Sequence, residues 1–357
     1  VFQTLLEGVG RGLPLTVRVT DASGIFCYRW VSCQRGGDLN SYGRNMSFLS
    51  KLTSPRLPRA AVGISEDHLT AVEVKRRSKR FILERSCLKS IPDGLLKPSF
   101  NDRNIIDEDE FAGRLWQTVE EAGLMKRKRW AAALPEESTR TMVIGLESAP
   151  ETRAELIEMV NWKIERLVGV SIDALRISRQ RLRTIKGQPR YLVSVGQKDV
   201  LEQYESVFKR LDWRVGLVLP QHLAEAQWLN WYRSPDDTML FSRDNRGFAA
   251  IILRSGEPLF VRSQDCEPDA LVDELYRLLL YYRERLVDEE KQGASLSKLM
   301  IIGDGLNINE IRRVTQEALG DEPELINTSD AVLETPGRVV PFYQIAAAAG
   351  MASAAWL

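Results

Sequence analysis

A turn carrying two glycines between an apolar strand and an amphipathic helix most constrains what this chain can fold into. Residues 297–313 read SKLMIIGDGLNINEIRR. Leu299 to Ile302 form an apolar run, Gly303 and Gly305 mark the turn, and Ile308, Ile311 and Val314 recur at helical spacing. Bare backbone at such a turn lets a ligand come close, and the N-terminus of the next helix favours anions. The layout is that of a nucleotide site on an α/β sheet. As a dinucleotide fingerprint Gly303-x-Gly305 is weak: Ile308 stands where the third glycine belongs, and the motif lies late in the chain.

At 357 residues the chain can bury a sizeable core, as two domains or one large bilobal unit. Lys+Arg and Asp+Glu both total 49, so no global field points to nucleic acid or an anionic surface. Cys27, Cys33, Cys87 and Cys266 lack a metal-binding spacing and suit a reducing compartment. His68 and His222 are the only histidines, which leaves little for a zinc site or histidine catalysis. No run approaches the ~20 apolar residues of a membrane span. Residues 339–357 come nearest, but Pro341 and Gln344 interrupt them, and they read as a buried terminal helix.

Residues 1–45 are unlike the remainder: rich in Gly and Arg, without lysine, and holding two of the four cysteines. They are expected to be an upstream extension, with Met46 as the biological start; the alternative is a native N-terminal arm. From Arg59 onward the pattern is mixed α/β. Residues 60–65, 69–75 and 80–88 read as an antiparallel meander, with the cluster KRRSKR (75–80) as a solvated hairpin tip. Asp107 opens a helix with a D-x-x-E capping pattern and a stripe of Phe111, Leu115 and Val119. Residues 130–134 read as a strand with 139–146 as a partner, and a long helix follows Pro150. Residues 175–178 read as a short strand. The order 191–195, 200–211, 215–219 has βαβ spacing, which predicts a parallel pair. A second meander (239–242, 248–253, 259–261) and a helix from Pro268 to about 288 lead to the glycine turn.

The plan of meander, helix and strand–helix, given twice, resembles the superfamily of actin, sugar kinases and heat-shock chaperones. Within it the chain resembles the PilM family of type IV pilus assembly proteins from about Met46 to Leu357. MSFLSKL, RAAVGI and LTAVEVKR resemble that family's opening, and RWAAALPEESTRTMVI its small inserted subdomain. RYLVSVGQKDVLEQYESVFKRLDWRVGLVLP, LMIIGDGLNI and VVPFYQIAAAAGMA follow in the family's order. The resemblance implies a bilobal actin-like (ribonuclease H-like) α/β fold with two duplicated mixed sheets. It divides the chain into 1–45, a first lobe at 46–235 with an insert at about 91–185, and a second lobe at 236–357. It also implies a cytoplasmic protein, peripheral at the inner membrane, that holds the tail of a PilN-like inner-membrane protein in a pilus assembly platform. By position Trp116, Val119, Trp130 and the basic run Lys126, Arg127, Lys128 and Arg129 are the candidate partner-binding residues, with core packing the alternative for the tryptophans.

The departures from the family concern its nucleotide cleft. The first phosphate loop of the family resembles G-I-D-I-G-S-S-S-x-K. Here Gly63-Ile64 runs into Ser65-Glu66-Asp67, with Ser65 at the Asp position and no lysine. In the second loop Ser242 stands at the Asp position and Asp244 at the Gly position, while Gly303 and Gly305 match on the adenosine side around Asp304. Carboxylates beside polyphosphate cost affinity, and magnesium triphosphate needs donors and oxygen ligands in place. The expectation is a degenerate cleft at Gly63, Ser65, Ser242, Gly303 and Gly305, no catalytic or metal-ligating residues, no cofactor, and no ATPase activity. The alternatives are an active ATPase or small-molecule kinase on the same fold, or a cytoplasmic subunit of a type II secretion platform.

Overall fold

The computed structural model describes residues 57–356 apart from 79, 149, 233, 235, 287–294, 327–332 and 336–339. The expectations for residues 1–45 and Met46 lie outside the described residues.

Two sheets repeat one plan. In the first, β1 (Ala60–Ile64), β2 (His68–Arg77) and β3 (Arg80–Ser90) form the antiparallel meander. β4 (Arg129–Leu134) then adds to β1 in parallel. β1 and β4 are apolar almost throughout because helices cover both faces of this part of the sheet. Helix α1 (Glu108–Glu121) packs on this sheet; its N-cap Asp107 accepts from the amides of Asp109 and Glu110.

A three-stranded antiparallel sheet follows: β5 (Arg140–Gly145), β6 (Leu175–Ile185) and β7 (Gln188–Gln197), with β7 in the middle and helix α2 (Arg153–Val168) beside it. Helix α3 (Lys198–Arg210) leads back to β8 (Arg214–Pro220), which lies parallel to β4. The parallel pair predicted for 191–195 and 215–219 is therefore wrong. β7 pairs β5 and β6, and the crossover into β8 starts at β4, with the small sheet inserted in its path. Nor is 139–146 a partner of 130–134; it joins the insert. Leu175–Ile185 runs to eleven residues because its half of the hairpin is wetted on one face, which hid its length. The insert's sheet spans residues 140–197, whereas α1, placed in the insert at the sequence level, packs on the first sheet.

Short helix α4 (Gln221–Glu225) and a 3-10 segment lead to the second sheet. There β9 (Asp237–Arg243), β10 (Gly247–Arg254) and β11 (Glu257–Asp265) form a meander, closed at its tip by Ser255 and Gly256. After helix α5 (Leu271–Tyr281), β12 (Leu296–Ile302) pairs β9 in parallel. Helix α6 (Ile308–Leu319) follows, then β13 (Glu324–Ile326) beside β12. β14 (Leu333–Glu334) returns to the first sheet, pairing β3 at Phe81 and Ile82.

Helix α7 (Phe342–Ser353) ties the lobes together. Every residue from Ile345 to Ser353 is buried, in one apolar cluster with Ala61 and Val72 of the first sheet and Leu240, Ile251 and Met300 of the second. Its alanines let both layers approach. A Cβ on Gly63 would lie 3.3 Å from the Ala348 Cβ, and a Cβ on Gly350 would fall 2.1 Å from the Ala224 carbonyl oxygen. Trp228 Nε1 donates to the Ala346 carbonyl at 2.8 Å, next to that contact. Gly350→Ala is therefore expected to destabilise the protein by about 1–3 kcal/mol or more, the range for overpacking a rigid core, read as a lower urea midpoint. An unchanged midpoint would show that α7 can slide away from α4.

Candidate functional site

The C-terminal ends of β1, β4, β8, β9 and β12 meet at one cleft between the lobes. A cavity of about 360 Å³ opens there. Its walls are the β1–β2 loop with Ser65, Glu66 and Asp67; the residues after β4, Glu136 and Glu137; the β9–β10 turn with Arg243 and Asp244; and the glycine turn after β12. A second cavity of about 690 Å³ lies on the other side of Glu136, Glu137 and Asp244, toward the insert.

The turns are held by their own backbone. Ser65 N donates to the His68 carbonyl at 3.0 Å, and Asp244 Oδ1 accepts from the amides of Arg246 and Gly247 at 2.9 and 2.7 Å. Those amides are thereby spent within their own loops. At the glycine turn Gly303 has φ 144° and Gly305 φ 68°, conformations that suit glycine. Arg243 lies over them: a Cβ on Gly303 would sit 2.7 Å from the Arg243 Cβ, and Arg243 Nη1 donates to the Asp304 carbonyl at 2.6 Å.

Arg246 spans the cleft. Its Nη2 and Nε donate to Glu66 of the first lobe at 3.0 and 3.4 Å, and Nε lies 3.8 Å from Glu137. Behind it, buried Glu136 pairs with His222 and accepts from Ser263 Oγ at 2.5 Å, a further contact between lobes. Burial opposes charge on Glu136, but the His222 ring and the Ser263 hydroxyl hold its carboxyl below the usual range. Glu137 goes the other way. Burial, then the neighbouring Asp244 carboxylate, push it up to about 7. Burial also raises Asp244, against the two amides it accepts from. Glu225, fully buried beside Ser242 and Gln221, is pushed up to about 8, and its Oε2 has no hydrogen-bond partner.

Gly63 lies within β1 and packs under α7, where a Cβ would meet Ala348 at 3.3 Å. Ser65 lines the cavity with its amide already engaged, and buried Ser242 serves Glu225. Gly303 and Gly305 form the expected turn beneath Arg243. Among the described residues no group of three or more His, Cys, Asp or Glu is placed to hold a metal ion. A triphosphate here would face Glu66, Asp67, Glu137 and Asp244 with two arginines already committed, so the residues present do not fit a metal–triphosphate complex. Sequence reasoning missed Arg243, Arg246, Glu136, Glu137, His222 and Glu225. The only local hint was the pair of arginines flanking Asp244-Asn245.

The candidate partner residues are not brought together. Val119 and Trp130 are fully buried in the first-lobe core, where Trp130 packs on Trp213 at 5.3 Å between ring centres. Both are ruled out as surface contacts in this conformation, because α1 and β4 turn these side chains inward. Trp116 is exposed on α1. Lys126, Arg127, Lys128 and Arg129 are exposed at the opposite end of β4 from the cleft.

No protein-family model matches the chain, and no curated protein matches it. Among solved structures, it is similar to a chain of a PilM–PilN type IV pilus biogenesis complex. The TM-score is 0.67 and the identity 16%, over 84% of this chain and 99% of that one. It is also similar to a Bacteroides thetaiotaomicron protein with an actin-like ATPase fold and unknown function (TM-score 0.44, 13% identity, 80% of this chain and 95% of that one). A third likeness is the cytoplasmic domain of EpsL, an inner-membrane component of the Vibrio cholerae type II secretion system (TM-score 0.41, 11% identity, 80% and 92%). The fold is the bilobal actin-like ATPase fold.

The raised carboxyls set a pH dependence. Glu225 and Glu137 hold their protons more tightly folded than unfolded, where the ordinary value is 4.5. Their stabilising contribution is complete below that value and is lost as pH rises through about 7 for Glu137 and about 8 for Glu225. Glu225→Gln is expected to raise the urea midpoint above that of the parent at alkaline pH, with the two curves converging in acid. A gap that stays constant with pH would refute the assignment.

Proposed function

We propose that this protein is an actin-like scaffold of a pilus or secretion machine that binds the cytoplasmic tail of a PilN-like inner-membrane protein and does not hydrolyse ATP. The observation that carries the reading is the arginine clasp. Arg246 joins Glu66 and Glu137 across the cleft, and Arg243 covers the glycine turn, so the chain's own cations stand where a nucleotide's charge would be answered. A cleft closed by side chains needs no ligand to bridge its lobes and leaves the outer surface to do the binding. The choice of partner is supported by the likeness to the pilus complex, which extends over 84% of this chain. In this reading the protein works in the cytoplasm, beside the inner membrane, held there through its partner. Tail-binding proteins of this kind take extended peptides into grooves with apolar pockets and flanking charge. Of the aromatic candidates Trp116 alone is exposed, so it is the probe of that surface, whereas Trp130 is a probe of folding.

Isothermal titration tests both halves. A synthetic peptide of the partner's cytoplasmic tail is expected to bind saturably, and Trp116→Ala to weaken it without moving the melting temperature. Magnesium ATP is expected to give no heat of binding and no released phosphate. Micromolar ATP binding with turnover would overturn the scaffold reading and restore an active ATPase or kinase. Trp130→Ala is expected to cost about 3–5 kcal/mol of stability, as aromatic core truncations do.

A further inference from the structure

The two basic runs of the sequence, some fifty residues apart, are brought to one end of one sheet. β2 ends on Lys75, Arg76 and Arg77, and β3 begins on Arg80 across the hairpin. β1 is entered through Arg59. β4 is entered through Lys126, Arg127 and Lys128 and begins on Arg129, whose register partner on β8 is Arg214. All are exposed, and a cavity of about 330 Å³ is lined by Pro58, Arg59, Ala60 and the run from Lys126 to Arg129. The carboxylates bonded to these side chains are each matched to one cation: Glu73 to Arg127, Glu84 to Lys75, Asp212 to Lys128 and Glu334 to Arg80. Among the described residues Arg59, Arg77, Lys126 and Arg214 meet no carboxylate.

The opposite end of the same strands is the acidic cleft, with Glu66, Asp67, Glu136, Glu137 and Asp244. A chain of zero formal charge is thus polarised along its strand axis, basic at one pole and acidic at the other. We propose that the basic pole docks the protein on an anionic phospholipid surface, with the cleft facing away from it.

The chemistry favours lipid headgroups over a protein segment. The cations stand on the ends of five neighbouring strands, β3-β2-β1-β4-β8, a row about 19 Å wide at the usual strand spacing. They form a broad field of long side chains, not a walled groove. Protein partners are held by buried anchors in desolvated pockets, but the pole's cavity offers only Pro58 and Ala60 as apolar surface. A headgroup layer asks only for clustered charge within a Debye length. Arg59 stacks on the Trp356 ring at 4.0 Å, and the indole N–H donates to the Val74 carbonyl at 3.3 Å, so this cation rests on a fixed aromatic base. This inference is independent of the tail-binding reading, because lipid alone suffices to test it.

Flotation of the full chain with vesicles is the experiment. One set is phosphatidylcholine alone, the other phosphatidylcholine mixed with phosphatidylglycerol. Binding is expected only to the mixed vesicles, and it should fall as salt is raised. A pole variant (Arg77→Glu, Lys126→Glu, Arg214→Glu) is compared with a control of equal net charge (Arg153→Glu, Arg312→Glu, Arg313→Glu). Both retain residues 1–56 and their cations. The pole variant is expected to lose affinity about tenfold or more, the control to keep it; Gln replacements at the same positions serve if reversal disturbs folding. No binding to the mixed vesicles at low salt would overturn the proposal, as would equal loss in both variants. Capture of poly-glutamate by the pole without vesicle binding would also overturn it and make the surface a protein-docking site.

Discussion

Close approach of α7 to both sheets is the contact on which the rest of the molecule depends. The helix is almost devoid of large side chains in its buried stretch, so its backbone sits near Thr70, Gly63 and Ala224 at once. Thr70 Oγ1 donates to the Gln344 carbonyl at 3.1 Å, fixing the helix start over the first sheet. Since β1, β4, β9 and β12 are held in relation to this helix, the loops at their ends are brought into a shared cleft. A larger residue at Ala348 would overpack the contact with Gly63 of β1.

Within the cleft, the balance between burial and charge decides what the site can do. Two buried carboxyls and two half-buried ones lie close together in different settings: Glu136 pairs with His222, Asp244 accepts from two loop amides, Glu225 sits beside Ser242 and Gln221, and Glu137 shares Arg246 with Glu66. The His222 ring, the Arg246 guanidinium and the two loop amides are thereby engaged with these carboxylates. Ser65 lines the cavity and Ser242 is buried beside Glu225. Gly63 packs under α7, where a Cβ would meet Ala348.

Much of the architecture was legible because it is local. The meanders announced themselves by short apolar runs and by turns such as Ser255-Gly256, and the capping of α1 by Asp107 was visible in four residues. What failed was non-local. The spacing from 191 to 219 looks the same whether a helix joins neighbours in one sheet or crosses from an insert to a lobe, and only register with β4 decides. Trp130 and Val119 were candidates by position in the resemblance, with core packing the alternative for Trp130, and burial depends on what α1 and α3 cover. For Arg246 the flanking of Asp244-Asn245 was a hint, but its role was hidden because its partner Glu66 lies 180 residues away.

β14 and α7 follow the second lobe's strands in sequence but complete the first sheet and its core. During synthesis the first lobe therefore emerges long before the segment that covers Ala61, Val72 and Phe81. Domain-by-domain maturation, the usual habit of chains of this size, is closed to it. Until α7 has left the ribosome those side chains wait uncovered, and association with other chains competes with folding over that interval.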